Sequence, residues 1–185
     1  MGETASDWMA HTIGPLASVP LGFVVFVVAM AIQLRSKRYT PWKYWLAVVM
    51  VSVFGTMIAD AIHVGLGVPY VVSTVVLAIV LAAVLYYWHA SQGTLSVHSI
   101  NTKQRELYYW ATVITTFALG TAAGDMTAVT FHWGYLGSAV VFAIAFAIPM
   151  MLGRIGVNHV AMFWTAYIIT RPLGASIADW MGMPA

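Results

Sequence analysis

The chain has 185 residues, of which 61% are hydrophobic and only 8% charged, with a net charge of +2. Such a composition excludes an ordinary soluble domain and marks a polytopic membrane protein with the lipid bilayer as its partner. The eight Lys and Arg form no stripe for nucleic acid, and the lack of Cys excludes disulfides and thiolate ligands.

In chain order, residues 1–13 read as the remnant of a shortened helix carrying Asp7 and His11, without a signal peptide's basic lead. Residues 15–34 are an uncharged run long enough to span a bilayer, for which about 20 residues are needed. A basic loop follows at 35–43. Residues 44–64 predict the next span, with Asp60 and His63, and residues 70–88 return. The polar segment 89–106 is the longest predicted loop. Residues 107–131 span with Asp125, a turn holds His132, and residues 135–153 span back to Arg154. Residues 160–180 are the last span, with Arg171 and Asp179. Seven of the eight Lys and Arg fall in the segments 35–43 and 89–106 or at Arg154, which opens the segment 154–159. The positive-inside rule makes those three segments cytoplasmic. Trp at helix starts (Trp45, Trp110, Trp164), with Trp42, Trp88, Trp133 and Trp180, are expected as interface anchors.

One pattern recurs four times: Gly, four residues, then Asp. It joins Gly2 to Asp7, Gly55 to Asp60, Gly120 to Asp125 and Gly174 to Asp179. In the last three copies an aromatic residue and a Trp precede the Gly: Tyr44-Trp45, Tyr109-Trp110 and Phe163-Trp164. The unit is aromatic-Trp-x9-Gly-x4-Asp. The Asp-to-Asp spacings are 53, 65 and 54, so a pair of units is expected to have duplicated as a block. The expected fold is all-α: a transmembrane bundle of two-helix hairpins repeated in one orientation about an axis along the membrane normal. A single domain would hold units at about 1–38, 39–90, 104–155 and 157–185, with six full spans and a partial first one. The incomplete end units predict a homo-oligomer.

Physically, the Gly and the residue before the Asp form a small-xxx-small seam, as at Gly55, Gly120 with Gly124, and Gly174. From Trp45 to Asp60 the helix rises about 22 Å, which places the Asp in the outer third of the membrane. A carboxylate there is costly, so a proton, a partner, water or a cation is expected beside it. The first reading is a small transporter or channel for a cation, either a proton or a divalent metal. Asp7, Asp60, Asp125 and Asp179 would bind it with Glu3 and His63, and His11, His132, Thr56, Thr121 and Arg171 would support them. The donors are oxygen and imidazole, which suit a proton or a hard or borderline divalent ion. The alternative is a non-transporting scaffold in which the Asp cap neighbouring helices or pair with Arg171. No nucleophile–base pair or phosphate loop points to an enzyme.

The stretches YWLAVVMVSVFGTMIAD, ELYYWATVITTFALGTAAGD and FWTAYIITRPLGASIAD resemble a family of uncharacterised bacterial inner-membrane proteins. That family is built from a tandem two-helix repeat of unknown function, usually in four copies. The resemblance implies a helical fold of up to eight helices and an inner-membrane location. It implies no activity.

Overall fold

The computed structural model describes residues 2–36, 38–154, 156 and 158–182. Lys37 of the first basic segment, residues 155 and 157 of the third, and residues 183–185 of the last repeat unit lie outside the described residues. Seven α-helices follow one another: α1 (Gly2–Ile13), α2 (Pro15–Leu34), α3 (Pro41–Asp60), α4 (Tyr70–Gln92), α5 (Lys103–Asp125), α6 (Gly134–Arg154) and α7 (His159–Gly182). The fold is all-α, as the hydrophobic runs require.

Local chemistry sets the boundaries. Pro15 and Pro41 stand in the first turns of α2 and α3, where a missing N–H costs nothing. Thr102 caps α5, its hydroxyl accepting the Arg105 N–H at 3.3 Å. Segment 89–106 is shorter as a loop than its polarity suggested. Helix α4 runs on to Gln92, and Gly93 ends it in the left-handed region at φ 70°. Arg105 then ties the loop down, donating to Gln92 Oε1 at 3.0 Å and to the Ser99 carbonyl at 2.7 Å.

The helices sort into two layers. The Asp-bearing helices α1, α3, α5 and α7 contact one another in sequence, α1 on α3, α3 on α5, α5 on α7, and α7 back on α1. The helices α2, α4 and α6 lie outside them. Each outer helix packs more closely on the first helix of the next unit than on that of its own: α2 on α3, α4 on α5, α6 on α7. The hairpin is therefore the unit of sequence but not of packing.

Among the described residues four segments are long and apolar enough to cross a membrane: Pro15–Leu34, Pro41–Gly65, Tyr70–Gln92 and Gly134–Gly153. They include all three outer helices, whose Leu16, Ile79 and Ile144 are exposed, as lipid-facing residues are. Helices α5 and α7, both of the inner layer, are as long but more polar. The core between α3 and α5 is built of small side chains, Ala47, Val51 and Ala59 against Val113, Ala118 and Ala122. Small residues allow the close backbone approach that association in lipid depends on.

Two expectations need correction. Trp45 is an exposed anchor, but Trp110 and Trp164 are buried, and so is Trp88. Trp88 and Trp164 meet edge to face at 5.6 Å, and the Trp164 N–H donates to the Leu95 carbonyl at 2.9 Å. In these copies the neighbouring outer helix and its loop cover the position that faces outward in α3. Nor does the span 107–131 keep one helical path to its end. The α-path gives way to a π-turn, Met126–Thr130, and His132 stands beyond it in the left-handed region at φ 58°. A matching π-turn, Ala61–Gly65, follows Asp60.

Candidate functional site

The inner helices lock together through the motif glycines. A Cβ on Gly2 would meet Ser52, one on Gly55 would meet Phe117, and one on Gly120 would meet Arg171. Each partner stands three residues before the Gly of the next copy. Gly174 has no such partner among the described residues and lines the cavity between the inner helices. Gly174 is exposed, with nothing within 4 Å of its Cβ position.

This register brings equivalent residues onto the common axis. The residue after each Gly is Glu3, Thr56, Thr121 or Ala175, and all four line one cavity of about 140 Å³. The residues three before the Gly, Ser52, Phe117 and Arg171, line it too. Glu3 Oε2 accepts from the hydroxyls of both Thr56 and Thr121 at 3.0 Å, and the two hydroxyls lie 3.2 Å apart. Glu3 thus stands nearest the axis, in the place that two other copies fill with Thr.

Asp60, Asp125 and Asp179 are half-buried and Asp7 is exposed. Asp60, Asp125 and Asp179 each lie within electrostatic reach of Glu3 and Asp7. Two tyrosines that the motif does not contain share this neighbourhood. Tyr70 and Tyr135, at the starts of α4 and α6, both lie within reach of Asp125 and Asp179. Their separation of 65 equals that of Asp60 and Asp125, which was the available sequence signal. Neither Asp60 nor Asp125 caps the π-turn that follows it. Of the three candidate histidines, His63 lies at the edge of this group and His11 and His132 lie outside it. His63 Nδ1 is 2.7 Å from the Val68 carbonyl and its ring stacks on Tyr70 at 3.4 Å. His11 is exposed within reach of Asp7, and His132 is exposed in its turn. Among the described residues no three His, Cys, Asp or Glu side chains gather as metal ligands.

Arg171 does not take the position that a scaffold lock requires. Its guanidinium lies between two aromatic faces, 4.0 Å from the Phe117 ring centre and 4.2 Å from that of Tyr167, and its buried Nε has no hydrogen-bond partner. The side chain of a helical residue leans toward the helix start, so the charge is carried away from the Asp end.

At the basic-loop end a larger cavity of about 840 Å³ opens. The first aromatic residues of three motif copies, Tyr44, Tyr109 and Phe163, all line it, with Tyr167. Tyr44 and Tyr109 share a hydrogen bond at 2.8 Å. Glu106 on its wall accepts from Gln33 Nε2 at 2.9 Å and from the Trp110 N–H at 3.4 Å. The repeat motif therefore builds both ends of the inner bundle, an aromatic chamber at one and a carboxylate group at the other.

No curated protein and no solved structure matches the chain. A family model described as Repeat of Unknown Function (DUF347) matches residues 43–94, 108–153 and 162–184. These three matches coincide with α3 and α4, with α5 and α6, and with α7, so the matched repeat is one inner helix followed, where the match is complete, by the outer helix after it. Together they cover more than half of the sequence, and the chain belongs to the DUF347 repeat family.

Proposed function

We propose that this protein is a small proton-translocating membrane protein of the bacterial inner membrane, with Glu3 as its central proton-binding group. In this reading the basic loops face the cytoplasm, and Asp7, Asp60, Asp125 and Asp179 pass protons between the opposite surface and Glu3. The observation that carries it is the triangle of Glu3, Thr56 and Thr121. An ionised Glu3 accepts from both hydroxyls. A protonated Glu3 donates to one Thr, which turns its own hydrogen to the other. The site is hydrogen-bonded in either state, so the change of state strands no buried polar group, which would otherwise cost about 1–3 kcal/mol. Of the two cargoes open to the acids, the proton is the better fit. A metal ion would want three or more side-chain donors at one point, whereas Glu3 is held by hydroxyls.

The test is proton flux in liposomes holding the purified protein and a trapped pH-sensitive dye. An imposed potential is expected to drive protons through the wild type, and Glu3→Gln to cut the rate at least tenfold with an unchanged circular dichroism spectrum. A wild-type rate no higher than that of empty liposomes would refute the proposal, as would full activity in the folded Glu3→Gln variant.

A further inference from the structure

We propose that the chamber at the basic-loop end is a binding site for a small organic anion with a planar apolar body. The inference is separate from the proton site, since binding here needs no proton to move. Its volume, about 840 Å³, lies within the range of small-molecule sites. Its walls are aromatic: Tyr39, Tyr44, Tyr109, Trp110, Phe163 and Tyr167. Three of these hold one equivalent place in three repeats, so the repeat builds the inner wall, and the connecting segments, with Arg38 and Tyr39, complete the chamber. Such walls offer flat apolar faces to a ring or a short chain.

Charge decides the sign of the ligand. Arg38 and Lys103 line the mouth, and Glu106 is the acid on the wall. Glu106 Oε1 already accepts from two neutral donors, Gln33 and Trp110. Beyond the inner wall, Arg171 lies against the Tyr167 ring. Two cations thus share the lining with one hydrogen-bonded carboxylate, and a third stands behind the Tyr167 ring. A cleft with walls of low dielectric focuses such a field and draws anions in. The Tyr44 and Tyr109 hydroxyls share one hydrogen bond, and Tyr167 adds a third phenol to the same wall. An anion would therefore enter with its carboxylate held by Arg38 or Lys103 and its apolar body against the rings.

Isothermal titration of the full chain in nanodiscs tests this, with 2-naphthoate as probe and 2-naphthylmethylammonium as its cationic counterpart. Empty nanodiscs correct for partition into lipid. Saturable binding of naphthoate is expected, at least tenfold tighter than that of the ammonium compound. The double variant R38Q/K103Q alters two exposed side chains and is expected to weaken naphthoate binding about tenfold. Acetate, which lacks the apolar body, is expected to bind at least tenfold more weakly. The proposal is overturned by absence of saturable naphthoate binding, by equal or tighter binding of the ammonium compound or of acetate, or by unchanged affinity in R38Q/K103Q. Because the readout is binding alone, its result does not depend on whether Glu3 carries protons.

Discussion

Gly120→Ala is expected to destabilise the bundle by about 1–2 kcal/mol, while Gly174→Ala leaves it as stable or more so. Two effects compete at each site. Alanine is a better helix former than glycine by about 0.8–1.0 kcal/mol. Against this, an added methyl in a packed interface costs about 1–3 kcal/mol. At Gly120 the new Cβ would meet backbone of α7, the Arg171 carbonyl carbon at 2.9 Å and the Pro172 nitrogen at 3.0 Å. Backbone cannot swing aside, so the helices must separate and the steric cost wins. At Gly55 the obstacle is the Phe117 Cβ at 2.6 Å, equally fixed, and a similar loss is expected. At Gly124 the nearest atom is the Ser176 hydroxyl at 3.3 Å, which can rotate, so the change should be small. At Gly174 there is open space and only the propensity gain remains. Thermal unfolding followed by tryptophan fluorescence in detergent measures all four. Equal losses at Gly120 and Gly174 would contradict the packing register on which the axial site rests.

The sequence carried the fold well because its main signals are local. The uncharged run 15–34 is bounded by Gly14-Pro15 and Arg35, and α2 has those limits. The Gly-x4-Asp repeat named the inner helices. What it concealed was set by neighbours. Trp45 and Trp110 stand at one place in the motif, yet one is exposed and the other buried, because only the second is covered by other helices. The two π-turns have no compositional mark. Within the expected spans 44–64 and 107–131 nothing separates them from the α-helix they continue. Glu3 was legible in principle. Aligning the copies on their Gly puts it level with Thr56, Thr121 and Ala175, but counting acids drew attention to the Asp instead. Tyr167 could not be found by alignment. It faces the chamber from one turn beyond Phe163, at a place that α3 and α5 fill with Val48 and Val113.

A double-mutant cycle between Glu3 and Thr56 is expected to give a coupling energy that depends on pH. A hydrogen bond to an ionised carboxylate contributes about 1.5–3 kcal/mol, and one between neutral groups about 0.5–1.5 kcal/mol. Thr56→Val keeps the shape of the side chain and deletes one leg of the triangle, leaving Glu3 with Thr121 alone. Glu3→Leu removes the charge and the need for either hydroxyl. The loss caused by Thr56→Val in the wild type should therefore shrink in the Glu3→Leu background, and the difference isolates the pair. At high pH, with Glu3 ionised, the coupling should approach the larger figure. At low pH, with Glu3 protonated, it should fall to the smaller one without vanishing, because the acid then donates to a hydroxyl. The sign follows directly: coupling is lost as protons bind. Unfolding midpoints of the four proteins, taken across a pH series, would trace where that change occurs. A coupling that is large but flat with pH would assign Glu3 a fixed structural role and remove the support for proton movement. A pH-dependent coupling from Thr121→Val as well would place both hydroxyls on the titrating group, which is what a carboxylate shared by three repeats requires.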